Sequence, residues 1–393
     1  MKEILAITLM NLRNIPSRLG TSLVIVVGIA GVVGVLIAML SMSRGFAATL
    51  QGTGRLDRAV LMAAGSNSEL SSYLDAGKVA MTRGLPGVAP GRDGKPLLSA
   101  ELVVITELKR GSGAQRSSVN VALRGVEPAG LAMRPEVKLV EGRWFTPGLR
   151  ELVTGKAAQQ QFEGVNLGAT LKFRGSEWTV VGLFDSGRDA HESELWADAD
   201  TARGAFGRPG ASSVLVQLPS AGALPALQQT VKDDPRLQLD VTAEREYFNS
   251  QSESFTLLIG ILTGVITVIM ALGSLFGALN TMYSAVSVRQ VEIATLRAIG
   301  FSGAPVMVSV LVEAALLALT GGALGAVLAW MFFDGMTVST LGQNFTQVAF
   351  SFKVTPDLVV RGLLGALTLG LVGGFFPALR AARLPVVDAL RAV

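Results

Sequence analysis

Few side chains in this sequence could carry out bond-making chemistry. The single histidine, His191, stands in the acidic stretch DAHESELW (residues 189–196). One imidazole beside carboxylates lacks the spaced ligand set that zinc or iron requires. A Ser-His-Asp triad would have to be built on His191, and no G-x-S-x-G elbow is present. The stretch therefore reads as a solvated loop. With 0 cysteines there is no thiolate metal site, thiol nucleophile or disulfide framework. TGKAA at residues 154–158 lacks both the leading glycine and the hydroxyl residue of a phosphate-binding loop. No cofactor or metal site is expected, and any ATP must be bound by another chain. What remains is VRQVEIATLRAIG, residues 288–300, a charged segment between two apolar runs. Val288, Val291, Thr295 and Ile299 recur at helical spacing, while Arg289, Glu292 and Arg297 fall on other sides and Gly300 is a natural stop. A surface helix is expected there.

The elements around that segment are dictated by hydropathy. With 50% hydrophobic residues and a mean hydropathy of +0.48, the 393-residue chain is too apolar for an ordinary soluble protein. At about 20 residues per crossing, four runs can span a bilayer: Thr21 to Met42, Phe255 to Leu279, Val306 to Phe333 and Leu358 to Phe376. Lys2, Arg13 and Arg18 precede the first span, Arg289 and Arg297 lie between the second and third, and Arg380, Arg383 and Arg391 follow the fourth. The loop from Asp334 to Asp357 holds only Lys353. The basic side chains put both termini and residues 280–305 in the cytoplasm, and residues 43–254 and 334–357 outside. The first run is too long for a cleaved signal peptide and is read as an uncleaved anchor. These arginines account for most of the net charge of +4, so no nucleic-acid partner is inferred.

The exported residues 43–254 have normal soluble composition and can bury a core. LLSAELVVITEL, SSVNVALRGV, ATLKFRGSEWTVVGLF and SSVLVQL read as strands. SYLDAGKVAMTRGL and ALPALQQTVKDD read as helices. The order strand, helix, strand occurs twice, once from DRAVLMAAG and once ending at LQLDVTA. This predicts a mixed sheet and one α+β lobe split in sequence by a second, more β-rich lobe near residues 128–211. The expected fold is thus a membrane protein with four transmembrane helices and a large two-lobed α+β domain between helices 1 and 2.

Within the spans, Gly260 and Gly264, Gly273 and Gly277, and Gly321 and Gly325 are spaced for close helix crossings, within one subunit or between two copies. Glu313 lies a turn or two inside the third span, where an ionisable group is either functional or paired with Arg297 or the interface.

With this topology, R-x-x-E-I-x-x-L-R-A-I-G at Arg289 to Gly300 resembles the hallmark of the MacB/FtsX/LolC superfamily of ABC transporter permeases. PALRAARLPVVDALRAV resembles the family's ending, with Pro377, Arg380, Ala381, Ala382, Arg383, Asp388, Ala389, Leu390 and Arg391 in matching places. NLRNIPSRLGTSLVIVVGIA is similar to its amphipathic entry, here residues 1–20, and LVEGRWFTPGLRELVTGKAAQQQF with WTVVGLF resembles a MacB-type periplasmic core domain. The resemblance implies a coupling helix that docks on a separate ABC ATPase through Arg289, Glu292, Ile293, Leu296, Arg297, Ala298 and Gly300. It also implies a second permease copy, a periplasmic adaptor with an outer-membrane channel, and a place in the bacterial inner membrane with residues 377–393 as a cytoplasmic tail. The expected activity is export by mechanotransmission. An FtsX-like device that switches a cell-wall hydrolase and a LolC-like lipoprotein-release permease are the alternatives. Ser287 and Val288 stand where the family often has further basic residues, and the 393 residues hold no nucleotide-binding domain, so a separate ATPase is expected.

Overall fold

The computed structural model describes residues 19–91, 94–110, 117–342 and 346–384. The expected N-terminal amphipathic helix and the tail residues Asp388, Ala389, Leu390 and Arg391 lie outside them. Along the chain, α1 (Leu19–Gly52) is followed by β1 (Arg58–Ala63), α2 (Ala76–Thr82), β2 (Leu98–Arg110) and β3 (Ser117–Val126). Next come α3 (Pro128–Ala132), β4 (Lys138–Gly142), β5 (Glu151–Gly155), α4 (Lys156–Gln161), β6 (Thr170–Phe173), β7 (Ser176–Asp185), β8 (Leu195–Asp198) and α5 (Ala199–Phe206). Then β9 (Ser213–Gln217), α6 (Leu224–Asp233) and β10 (Leu239–Ala243) lead into α7 (Glu244–Val288), α8 (Gln290–Ala298) and α9 (Gly303–Phe333). The hairpin β11 (Thr337–Leu341) and β12 (Gln347–Ser351) precedes α10 (Pro356–Ala382). Two compact units result, one of Met1–Arg44, Leu257–Met336 and Phe352–Val393, the other of Gly45–Thr256 and Thr337–Ser351.

The second unit is built on a ten-stranded sheet ordered β10-β1-β9-β2-β3-β8-β5-β7-β4, with β6 paired to β7. In its first lobe β9 lies between β1 and β2, and β1 between β9 and β10, all antiparallel, so two βαβ crossovers interleave. Asp75 caps α2 by accepting from Lys78 N at 2.9 Å. The parallel pairs β3–β8 and β5–β7 belong to the second lobe and make the sheet mixed. The second core begins well before residue 128, since Leu102, Val104, Leu108, Val121 and Leu123 pack in it with Trp178 and Phe206. The reason is β2: Leu98–Glu101 pair with β9 in the first lobe, and Leu102–Arg110 pair with β3 in the second. One 13-residue strand serves both lobes. The hairpin from the short loop also belongs to this unit: Ala349 N donates to Ser193 Oγ at 2.8 Å, and Arg110 Nη1 to Ser339 Oγ at 2.9 Å.

Among the described residues four helices, α1, α7, α9 and α10, are long and apolar enough to cross a membrane. α1 and α7 extend past the apolar runs, to Gly52 and back to Glu244, because their polar continuations still bury Phe46, Leu50, Tyr247 and Phe248. α10 likewise runs through Pro377 to Ala382. In the membrane unit, Ile25, Ile29, Val33 and Ile37 of α1 pack with Ala314, Leu317 and Ala318 of α9 and Ala366 of α10. Small residues set the spacing. A Cβ on Gly321 would lie 2.7 Å from Val26 O, and one on Gly325 would lie 2.4 Å from Ala30 O. Lipid gives helices no hydrophobic drive to associate, so such close backbone contact carries much of the packing.

Candidate coupling site

α7 ends at Val288, Arg289 forms the break, and α8 starts at Gln290. At its far end Gly300, with φ +108°, lets Gly300 N donate to Arg297 O at 3.2 Å and Phe301 N to Leu296 O at 3.2 Å, a Schellman stop. The amphipathic pattern is turned inside out. Ile293 is buried against Val286, Val306, Val310, Ala378 and Ala381, Ala294 is fully buried and Leu296 is half-buried. Arg289, only 5% exposed, places Nη1 3.0 Å from Glu313 Oε2 and Nε 3.6 Å from Glu292 Oε2. Arg297 Nη1 donates to Leu384 O at 2.6 Å. The apolar stripe faces outward, with Val288 74% and Ile299 69% exposed and Val291 and Thr295 between them. Glu292, Ala298 and Gly300 are exposed beside it. Two basic residues thus tie the segment to the membrane unit, and its greasy face has no cover within this chain's described residues.

Glu313, 7% exposed, meets Arg289 and not Arg297. The glycine pairs separate into two groups. Gly321 and Gly325 pack inside the chain, whereas a Cβ on Gly260, Gly264, Gly273 or Gly277 would meet nothing within 4 Å. The surrounding face of α7 is open, with Leu257, Leu258, Ile261, Val265, Ile269 and Phe276 exposed.

The expectation of a solvated loop at His191 is wrong. His191 is 2% exposed, on a 3-10 turn, Ala190–Ser193, whose side chains are all buried. Polar residues are buried there because a charge network answers them. Arg124 from β3 donates to Glu69 at 2.8 and 2.8 Å, to Glu194 at 2.8 and 2.9 Å, and to Glu101 at 2.9 Å. Arg134 forks onto Glu101 at 2.5 and 2.9 Å. Arg58 bonds Glu244, the first residue of α7, at 2.6 Å and also holds the half-exposed Glu136. His191 Nδ1 lies 3.0 Å from Glu194 Oε2, which also accepts from Trp196 Nε1 at 2.7 Å. Burial pushes the Glu101 carboxyl up, but Arg134 and Arg124 reverse this and hold it at about 2. Burial also opposes charge on Glu194, and Arg124 and His191 overcome it to keep its pKa well below the usual range. Burial disfavours a charged His191, yet Glu194 raises its pKa above the ordinary value. The ring thus sits beside the Glu194 and Asp189 carboxyls, with Arg124 and Arg134 held by Glu69, Glu101 and Glu194 around it. Among the described residues, no cluster of side chains suited to a metal ion occurs.

Residues 264–386 match the FtsX-like permease C-terminal model, and residues 19–234, more than half of the chain, match the MacB-like periplasmic core domain. The chain belongs to the MacB-like, FtsX-like family of ABC transporter permeases. The macrolide export ATP-binding/permease protein MacB 1 of Aeromonas hydrophila is 24% identical to this permease over 387 residues, 93% of this chain and 57% of that one. An uncharacterized ABC transporter permease of Methanocaldococcus jannaschii is 22% identical over 267 residues, 64% of this chain and 65% of that one. A Campylobacter jejuni MacB is 31% identical over 154 residues, 37% of this chain and 23% of its own. Each of these relatives extends beyond the stretch it shares with the permease. The periplasmic region of MacB from Actinobacillus actinomycetemcomitans aligns with 50% of this chain and 92% of its own length, at 14% identity and a TM-score of 0.36.

Proposed function

We propose that this permease couples a separate ATPase in the cytoplasm to movement of its β-rich unit outside the membrane, and so exports a substrate such as a drug, peptide or lipid-like compound. The observation that carries the reading is the outward stripe of Val288, Val291, Thr295 and Ile299 along α8 and its two flanks, where Arg289 and Arg297 point inward. A short helix of this kind lays its apolar side in a groove of a partner. Its anchors, Arg289 on Glu313 and Arg297 on Leu384 O, join it to α9 and to the segment after α10, so displacement of the partner is passed to several spans at once. ATP-driven closure of two ATPase subunits would then draw two permease copies together. The open face of α7, with unfilled positions at Gly260, Gly264, Gly273 and Gly277, fits a second copy approaching closely. The spans offer few polar groups for a hydrophilic path, so substrate is handled outside the bilayer or at its outer surface.

The test is copurification. Tagged permease is extracted from its native membrane, and the proteins retained with it are identified by mass spectrometry. Ile299→Glu and Val291→Glu should abolish capture of an ATP-binding subunit without changing the thermal unfolding of the permease. Capture at wild-type level by both variants would sink the docking assignment.

A further inference from the structure

The turn Ala190–Glu194 stands where several segments of the β-rich unit converge. Just past the end of α1, Thr53 Oγ1 accepts from Ala190 N at 2.9 Å. On the hairpin side, Ser193 Oγ accepts from Ala349 N at 2.8 Å. The His191 ring meets Phe248 of α7 edge-on, with centroids 5.5 Å apart. Gly155 N at the end of β5 donates to Glu194 O at 3.0 Å, and a Cβ there would lie 2.2 Å from Glu192 O, so only glycine lets the strand come this close. Behind the turn, Arg124 grips Glu194 with two nitrogens. The contacts differ in kind. The two hydroxyl contacts are single neutral hydrogen bonds, each worth little when opened to water. The fork behind them joins buried charges, and opening it strands them. Such a turn can slide against α1 and the hairpin while its base stays fixed to the second lobe.

We propose that the turn Ala190–Glu194 is the joint through which displacement of α1 and α7 reaches the second lobe, with Thr53 and Ser193 as its positioning residues. The joint rests on the permease reading above and names where its motion is transmitted. Removing either hydroxyl should uncouple the second lobe while leaving ATPase docking at α8 in place.

The full-length permease, copurified with its ATPase and placed in nanodiscs, is followed by hydrogen–deuterium exchange with and without a non-hydrolysable ATP analogue. In the wild type, exchange at α8 and at β8 and α5 should change with nucleotide. Thr53→Val and Ser193→Ala should lose most of the change at β8 and α5 and keep it at α8, and Thr53→Ser should restore it. A purely structural role would raise exchange equally in both nucleotide states and leave the nucleotide-dependent difference intact, which would overturn the joint. The absence of any nucleotide-dependent change at α8 in the wild type would overturn the permease reading and the joint with it.

Discussion

Replacing Arg124 by methionine removes the centre of the buried charge network while keeping much of the side-chain volume. Five hydrogen bonds to three carboxylates disappear together. Their remaining partners differ. Glu101 keeps the fork from Arg134, and Glu194 keeps His191 and Trp196. Glu69 keeps the Ser213 hydroxyl at 2.6 Å. Glu69 is therefore the carboxylate left most exposed to the cost of burial, and stranding one buried charge costs about 3–5 kcal/mol. At about 2–4 °C per kcal/mol for a unit of this size, Tm should fall by about 6–20 °C. Arg124→Lys should recover little, because an ammonium cannot form the fork to Glu194 and Glu69 at once. The pH dependence gives the sharper test. In the wild type, Glu101 at about 2 and the depressed Glu194 contribute stability that is present above the unfolded value near 4.5 and lost as pH falls towards the folded values. In the variant, stranded carboxylates take up protons readily in the folded state, so acid relieves the penalty. Guanidinium unfolding of the full-length chain in detergent, followed by tryptophan fluorescence, should show a wide gap at pH 7 that narrows below about pH 4.5. A gap under about 1 kcal/mol at pH 7, within the range of an ordinary substitution, would refute the reasoning, and so would a gap that acid leaves unchanged.

Four further outcomes follow from the same geometry. His191 has a raised pKa, so its contribution is complete below about 6.5 and is lost as pH rises through the folded value; His191→Gln should erase that slope in an unfolding titration from pH 6 to 9, readable because this is the only histidine. Gly325→Val drives a side chain into Ala30 O and should cost about 1–3 kcal/mol in thermal unfolding. Gly264→Val, which meets nothing, should leave unfolding within about 0.5 kcal/mol and instead reduce crosslinking between copies in native membranes. Glu313→Gln leaves Arg289 without its buried anion and should lower both Tm and the yield of captured ATPase, measured by the same copurification.

The spans were legible because lipid demands a long apolar run, and β2, β3, β7 and β9 because their β-branched residues stand between turn formers. β5 and β8 were not, since ELVTG and LWAD are buried on both faces and show no alternation. The charge network was invisible for a different reason. Glu69 and Glu194 lie 55 and 70 residues from Arg124, so each looks locally like a solvent-facing charge. DAHESELW misled in the same way, its polarity being local and its partners remote. At the coupling segment, periodicity alone found the stripe Val288, Val291, Thr295 and Ile299. Which side faces outward depends on Glu313, 24 residues beyond Arg289 and inside a span, and on the carbonyl of Leu384.

The most direct measurement places a photo-crosslinking amino acid at position 299, at the C-terminal end of the exposed stripe, and irradiates cells or native membranes before purification. The adduct should join the permease to a cytoplasmic subunit that carries a phosphate-binding loop, and Val291→Glu should remove it. Adducts to lipid or to the permease alone, with no ATP-binding subunit among them, would contradict the account.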